Sequence, residues 1–126
     1  MIKIQVFFAI MSFNIFFIAF TSCKAQEHFR PGGPYYYESF ANYEIPFRPI
    51  GELSADEAKL RDAYYVAYFN NNSKIVTFTK YLKGEIVFSD KYIYSLIIFL
   101  EQRELTKSTG EIVIQYFDKK GKIIQK

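Results

Sequence analysis

From Tyr64 onward, β-branched and aromatic residues alternate with polar ones, and clusters of turn-forming residues cut the alternation at short intervals. Tyr64, Val66 and Tyr68 oppose Tyr65, Ala67 and Phe69; Val76, Phe78 and Leu82 oppose Thr77, Thr79 and Tyr81. Ile86 and Phe88 continue the pattern, as do Ile112, Ile114 and Tyr116. A period of two puts successive side chains on opposite faces of a strand. The cuts fall at Asn70–Ser73, Lys83-Gly84, Lys107–Gly110 and Asp118–Gly121, where Gly, Asn, Asp and Ser suit tight turns. This predicts an antiparallel meander with one packed face.

The chain also repeats itself. Tyr68-Phe69-Asn70-Asn71-Asn72-Ser73-Lys74-Ile75-Val76 lines up with Tyr116-Phe117-Asp118-Lys119-Lys120-Gly121-Lys122-Ile123-Ile124, 48 residues later. Gly84-Glu85-Ile86-Val87 recurs as Gly110-Glu111-Ile112-Val113, and Tyr92-Ile93-Tyr94 falls 24 residues from each member of the first pair. This third copy lacks its turn, because Ser95-Leu96-Ile97-Ile98 stands where Asn or Asp and Gly belong. Residues 91–106 therefore read either as a bulged strand or corner, or as a helix over Leu96–Thr106 with its good helix formers. The unit aromatic-Phe-Asp/Asn-x-x-Gly/Ser-Lys-Ile resembles the tyrosine–aspartate (YD) repeats of bacterial RHS-type proteins, over Tyr64–Ile124. Three degenerate units cannot enclose anything, so no cargo-holding or toxin role is implied.

Ahead of this region, Tyr35–Phe40 reads as a first strand and Tyr43–Phe47 as a second stretch, which Pro46 and Pro49 confine to an edge or extended loop. Ser54-Ala55-Asp56-Glu57 is a capping box, predicting a helix over about residues 54–62 that presents Ala55, Ala58 and Leu60 to a core. Arg30-Pro31-Gly32-Gly33-Pro34 resists regular structure, so residues 23–34 read as a flexible linker. The expected fold is α+β and mostly β: an antiparallel meander of five or six strands with one short helix, occupying residues 35–126.

Residues 1–22 read as a signal peptide: Lys3, then an uncharged run from Ile4 to Phe20 with six phenylalanines, then small Thr21 and Ser22. Cys23 is the sole cysteine and is followed by polar residues. A lone cysteine so placed resembles the lipobox of bacterial lipoproteins, although Phe20 stands where that pattern has a bulky aliphatic residue. The resemblance implies cleavage between Ser22 and Cys23, acylation of Cys23, membrane lipid as a partner, and a cell-envelope location with the outer membrane favoured by Lys24. Two alternatives stay open: ordinary cleavage after Ala25, giving a secreted or periplasmic domain, and an uncleaved N-terminal helix. Either way no cysteine remains for a disulfide within the domain, so a core must suffice.

Residues 23–126 carry 15 basic and 13 acidic side chains, since only Lys3 is removed with residues 1–22. Interspersed charges argue against nucleic acid as a partner. The one histidine, His28, lies in the linker, so neither a Ser–His–Asp triad nor a zinc site is expected. Asp56/Glu57 and Glu101/Glu104 fall on a cap and on predicted surface. No catalytic residue, metal or cofactor is assigned, and the chain is not expected to be an enzyme. All eleven tyrosines follow residue 34, and Tyr35, Tyr36 and Tyr37 form the candidate binding edge. The expected function is a non-catalytic envelope module that binds another envelope protein or a glycan. The alternative is a secreted, unanchored structural or accessory domain.

Overall fold

The computed structural model describes residues 28–41, 44–96 and 98–124. They form one open antiparallel sheet of eight strands and one short helix. In chain order these are β1 (Gly32–Ala41), β2 (Arg48–Leu53), α1 (Ala55–Lys59), β3 (Ala63–Phe69), β4 (Ile75–Leu82), β5 (Glu85–Ser95), β6 (Phe99–Lys107), β7 (Ile112–Phe117) and β8 (Ile123–Ile124). The spatial order is β2-β1-β3-β4-β5-β6-β7-β8.

The turns explain both the strands and the repeats. Lys83 and Gly84 join β4 to β5 with φ of 50° and 82°. Two positive φ values are what a two-residue type I′ hairpin requires. Three other hairpins share a five-residue turn. Its first amide donates to the carbonyl four residues on: Asn70 to Lys74 at 2.9 Å, Lys107 to Glu111 at 2.8 Å and Asp118 to Lys122 at 2.8 Å. Its fourth residue, Ser73, Gly110 or Gly121, sits at positive φ and donates back to the first carbonyl. Asn70 Oδ1 accepts from the amides of Asn72 and Lys74, and Asp118 Oδ1 from those of Lys120 and Lys122. The 48-residue repeat is thus one turn solution used twice. It is not a YD repeat: the hairpins lie side by side in a sheet that neither curls nor closes, and that resemblance does not stand.

Several expectations change. The sheet has eight strands, where five or six were expected, and it is a plain meander only from β3 onward. β1 lies between β2 and β3, so α1 carries the chain across it. The sheet begins at Gly32, inside the stretch read as a linker, and the second strand runs Arg48–Leu53, past Tyr43–Phe47. β2 is an edge strand, which accommodates Pro49. Residues 99–107 are strand, because pairing with β5 on one side and β7 on the other overrides their helix propensity. The helix is only Ala55–Lys59, with its capping box formed: Ser54 Oγ accepts from the Glu57 amide at 3.1 Å, and Glu57 Oε1 from the Ser54 amide at 3.0 Å. The Ser54 backbone bond is the main reason the Glu57 carboxyl is held below the usual range. Ala58 is buried, whereas Ala55 and Leu60 are exposed.

Register sorts the two faces. Tyr37, Ala67, Phe69, Ile75, Phe78 and Tyr92 cluster on one of them. Its cover comes from outside the strands. Phe29 stacks on Phe69 with ring centroids 4.8 Å apart, and Phe47 packs against Phe40 at 4.8 Å, Phe78 at 5.6 Å and Phe88 at 6.2 Å. Phe78, at 0 % exposure, is the centre of this interior. Phe78→Ala is expected to lose about 3–5 kcal/mol in urea unfolding. Leu60→Ala, at an 88 % exposed site, is expected to stay within about 0.5 kcal/mol.

Candidate functional site

The alternation of β5 places Asp90 on the same face as Phe88 and Tyr92, directly opposite Phe78 of β4 and Leu105 of β6. Its carboxylate is fully buried. An isolated buried charge is costly, so partners are expected, and the register supplies them. Tyr92, Arg103 and Gln115 form one cross-strand row over β5, β6 and β7. Tyr92 donates its hydroxyl proton to Asp90 Oδ2 at 2.7 Å, and Arg103 Nη2 lies 2.9 Å from the same oxygen. Arg103 Nη1 donates to Gln115 Oε1 at 3.1 Å, and the guanidinium carbon sits 5.5 Å from the centre of the Phe47 ring. The Phe47 amide donates to the Tyr92 hydroxyl at 3.3 Å.

Among the described residues, Asp90 Oδ1 and Arg103 Nε have no hydrogen-bond partner. Beside the network lies a cavity of about 350 Å³, walled by Phe47, Val87, Phe88 and Leu105 and reached by Arg103 and Lys107. Lys107 is itself paired with Glu111 at 3.3 Å. Burial, and then the Asp90 charge, push the Tyr92 hydroxyl well above the usual tyrosine range. Burial pushes Tyr94, which donates to the Ile75 carbonyl at 2.6 Å, up to about 12. These hydroxyls stay protonated and serve as fixed donors. The strongest polar chemistry in the fold is thus committed to holding strands together.

The opposite face differs. Tyr36, Tyr64 and Tyr81 form a ladder across β1, β3 and β4, with ring centroids 6.1 and 5.3 Å apart. The same face continues through Thr79 and Ser89, whose hydroxyls are 2.9 Å apart, to Thr106 and Ile112. A second row runs Thr77, Lys91, Glu104, Ile114. α1 packs on β1 and β2, where Arg61 pairs with Glu38 at 3.2 Å. Ile86, Ile112 and Ile114 remain 48 %, 61 % and 46 % exposed.

Tyr35, Tyr36 and Tyr37 do not form one edge. β1 is paired on both sides, and alternation divides the three residues. Tyr37 is buried and Tyr35 packs on Phe69 with its hydroxyl donated to the Pro31 carbonyl, while Tyr36 joins the ladder. His28 is exposed. Among the described residues no three His, Cys, Asp or Glu side chains gather as a metal site. Ser22 and Cys23 lie outside the described residues. Sequence reasoning missed the Asp90 network. The available signal was an acidic residue on the Phe88/Tyr92 side of an alternating strand, where a charge demands a partner.

A family of unknown function (DUF6156) matches residues 30–126, which is the whole sheet. The chain belongs to this family. No curated protein and no solved structure matches it. The lipoprotein resemblance does not stand: no lipobox is evident, Phe20 departing from the pattern. Among the described residues, no helix is long and apolar enough to cross a membrane.

Arg103→Met strands the buried Asp90 charge and is expected to cost about 3–5 kcal/mol. Adding Asp90→Leu should recover most of that loss, a coupling that a double-mutant cycle in urea measures directly. Alkaline pH supplies a second check. Native Tyr94 holds its proton to about pH 12, whereas an unfolded tyrosine releases it near 10. Stability is therefore complete below pH 10 and falls as pH rises toward 12. Tyr94→Phe should flatten that fall in thermal melts followed by circular dichroism.

Proposed function

We propose that this DUF6156 domain is a non-catalytic, exported accessory module that binds a partner protein across the face of its sheet opposite the Asp90 network. The observation that carries the reading is the contrast between the two faces. On the covered face the ionisable groups are consumed by one another around Asp90. On the other, the Tyr36–Tyr64–Tyr81 ladder and the exposed Ile86, Ile112 and Ile114 surround a hydroxyl-lined centre. Tyrosine offers large, rigid contact area with a polar tip, a composition suited to protein partners. An extended, shallow surface of this kind matches another protein's surface better than it encloses a small molecule. Export is supported by the single Lys3 ahead of the apolar run and by the small residues that end it.

A photo-crosslinking amino acid at Ile114 is expected to trap one defined polypeptide in living cells, and Ile112→Lys should abolish the adduct. A folded protein that yields no adduct from Ile114 would refute this surface as an interface. Intact-mass measurement tests export: loss of the first 22 to 25 residues is expected, and a full-length chain in the cytosol would overturn that part.

A further inference from the structure

The hairpin between β5 and β6 departs from the chemistry of the other four hairpins between β3 and β8. In those four the turn residues are Asn, Asp, Glu, Lys, Ser, Thr and Gly. Here the Ile98 amide donates to the Ser95 carbonyl at 3.3 Å, and Leu96 takes φ of +51°. That left-handed conformation is strained for a residue with a branched side chain and is normally left to Gly or Asn. Leu96 is 77 % exposed, Ile98 64 % and Phe99 37 %. Strain and exposed apolar surface together at one tip run against what folding alone favours.

The alternating strand directions place this tip at the same end of the sheet as the β3–β4 and β7–β8 turns. The β7–β8 turn carries Lys119, Lys120 and Lys122, and Lys74 closes the β3–β4 turn. Phe99 and Lys119 line one surface depression of about 290 Å³, together with Glu101 and Asp118. The Asp118 carboxylate is turned inward onto the amides of its own turn. The end therefore presents a projecting apolar tip with a lysine cluster beside it.

We propose that this end of the domain docks peripherally on an anionic phospholipid surface. Leu96, Ile98 and Phe99 enter the interfacial region, and Lys119, Lys120 and Lys122 meet the headgroups. A bilayer interface accepts a convex apolar tip without a preformed pocket, and lysines near it are drawn to anionic lipid. The proposal rests only on described residues. It is independent of Cys23 and of the protein-binding face.

The chain contains no tryptophan, so one introduced at the tip is a clean reporter. In the full-length protein, Ile98→Trp fluorescence should shift to the blue and be quenched by brominated lipids in vesicles containing one-third phosphatidylglycerol. Lys119→Glu/Lys120→Glu/Lys122→Glu in that background should weaken the response roughly ten-fold or more, as should 0.5 M salt. Leu60→Trp, at the opposite end, should stay water-exposed even if another part of the chain holds the protein on the vesicle. The proposal is overturned by an Ile98→Trp signal that vesicles leave unchanged. It is equally overturned by one that responds the same to neutral vesicles, or that shifts only with a protein partner and no lipid.

Discussion

A single-layer sheet has two faces, and a helix of five residues can cover very little of either. What gives this sheet an interior is the Phe47 segment lying across it, held in place by the hydrogen bond from the Phe47 amide to the Tyr92 hydroxyl. Phe47 meets Phe40, Phe78 and Phe88 there and stacks under the Arg103 guanidinium. With Phe29 at the other end, it turns a two-sided ribbon into a layered domain. The burial of Phe78, Tyr37 and Ala67 depends on that cover.

The network beneath Phe47 links cover to register. Asp90, Tyr92, Arg103 and Gln115 come from three adjacent strands and meet only when β5, β6 and β7 pair as they do. A slip of one residue would turn Arg103 to the open face and leave the buried Asp90 carboxylate without its cationic partner. Buried ion pairs add little net stability over apolar packing, but breaking one is costly. The network's role is therefore best understood as specificity: it selects one strand alignment among those the alternating sequence allows.

The proposed roles divide along the same line. The face that holds the charged network is closed over it, whereas the open face and one end of the sheet carry features that folding does not explain. The tyrosine ladder and isoleucines lie on a broad surface suited to a macromolecule. The tip at Leu96, Ile98 and Phe99 is small, exposed and flanked by lysine, a different geometry suited to a lipid interface. The two surfaces are compatible: a domain resting on a membrane by one end would leave its sheet face free.

Local information was strong in this chain wherever an element is defined by its neighbours in sequence. The Ser54–Glu57 capping box, the Lys83-Gly84 hairpin and the strands from Tyr64 to Leu82 were legible, because caps, turns and period-two alternation act over a few residues. So was the likeness of the Asn70 and Asp118 turns, though two chemically similar turns do not determine how hairpins assemble. Non-local matters were decided by the tertiary structure. Residues 99–107 have helix-forming composition and become strand only because β5 and β7 flank them. The insertion of β1 between β2 and β3 left no free edge at Tyr35, Tyr36 and Tyr37, since pairing partners depend on residues far along the chain. Asp90 was readable as an anomaly, but its partner was not: Arg103 stands thirteen residues away in sequence, and only the β5–β6 register brings the two charges within 2.9 Å.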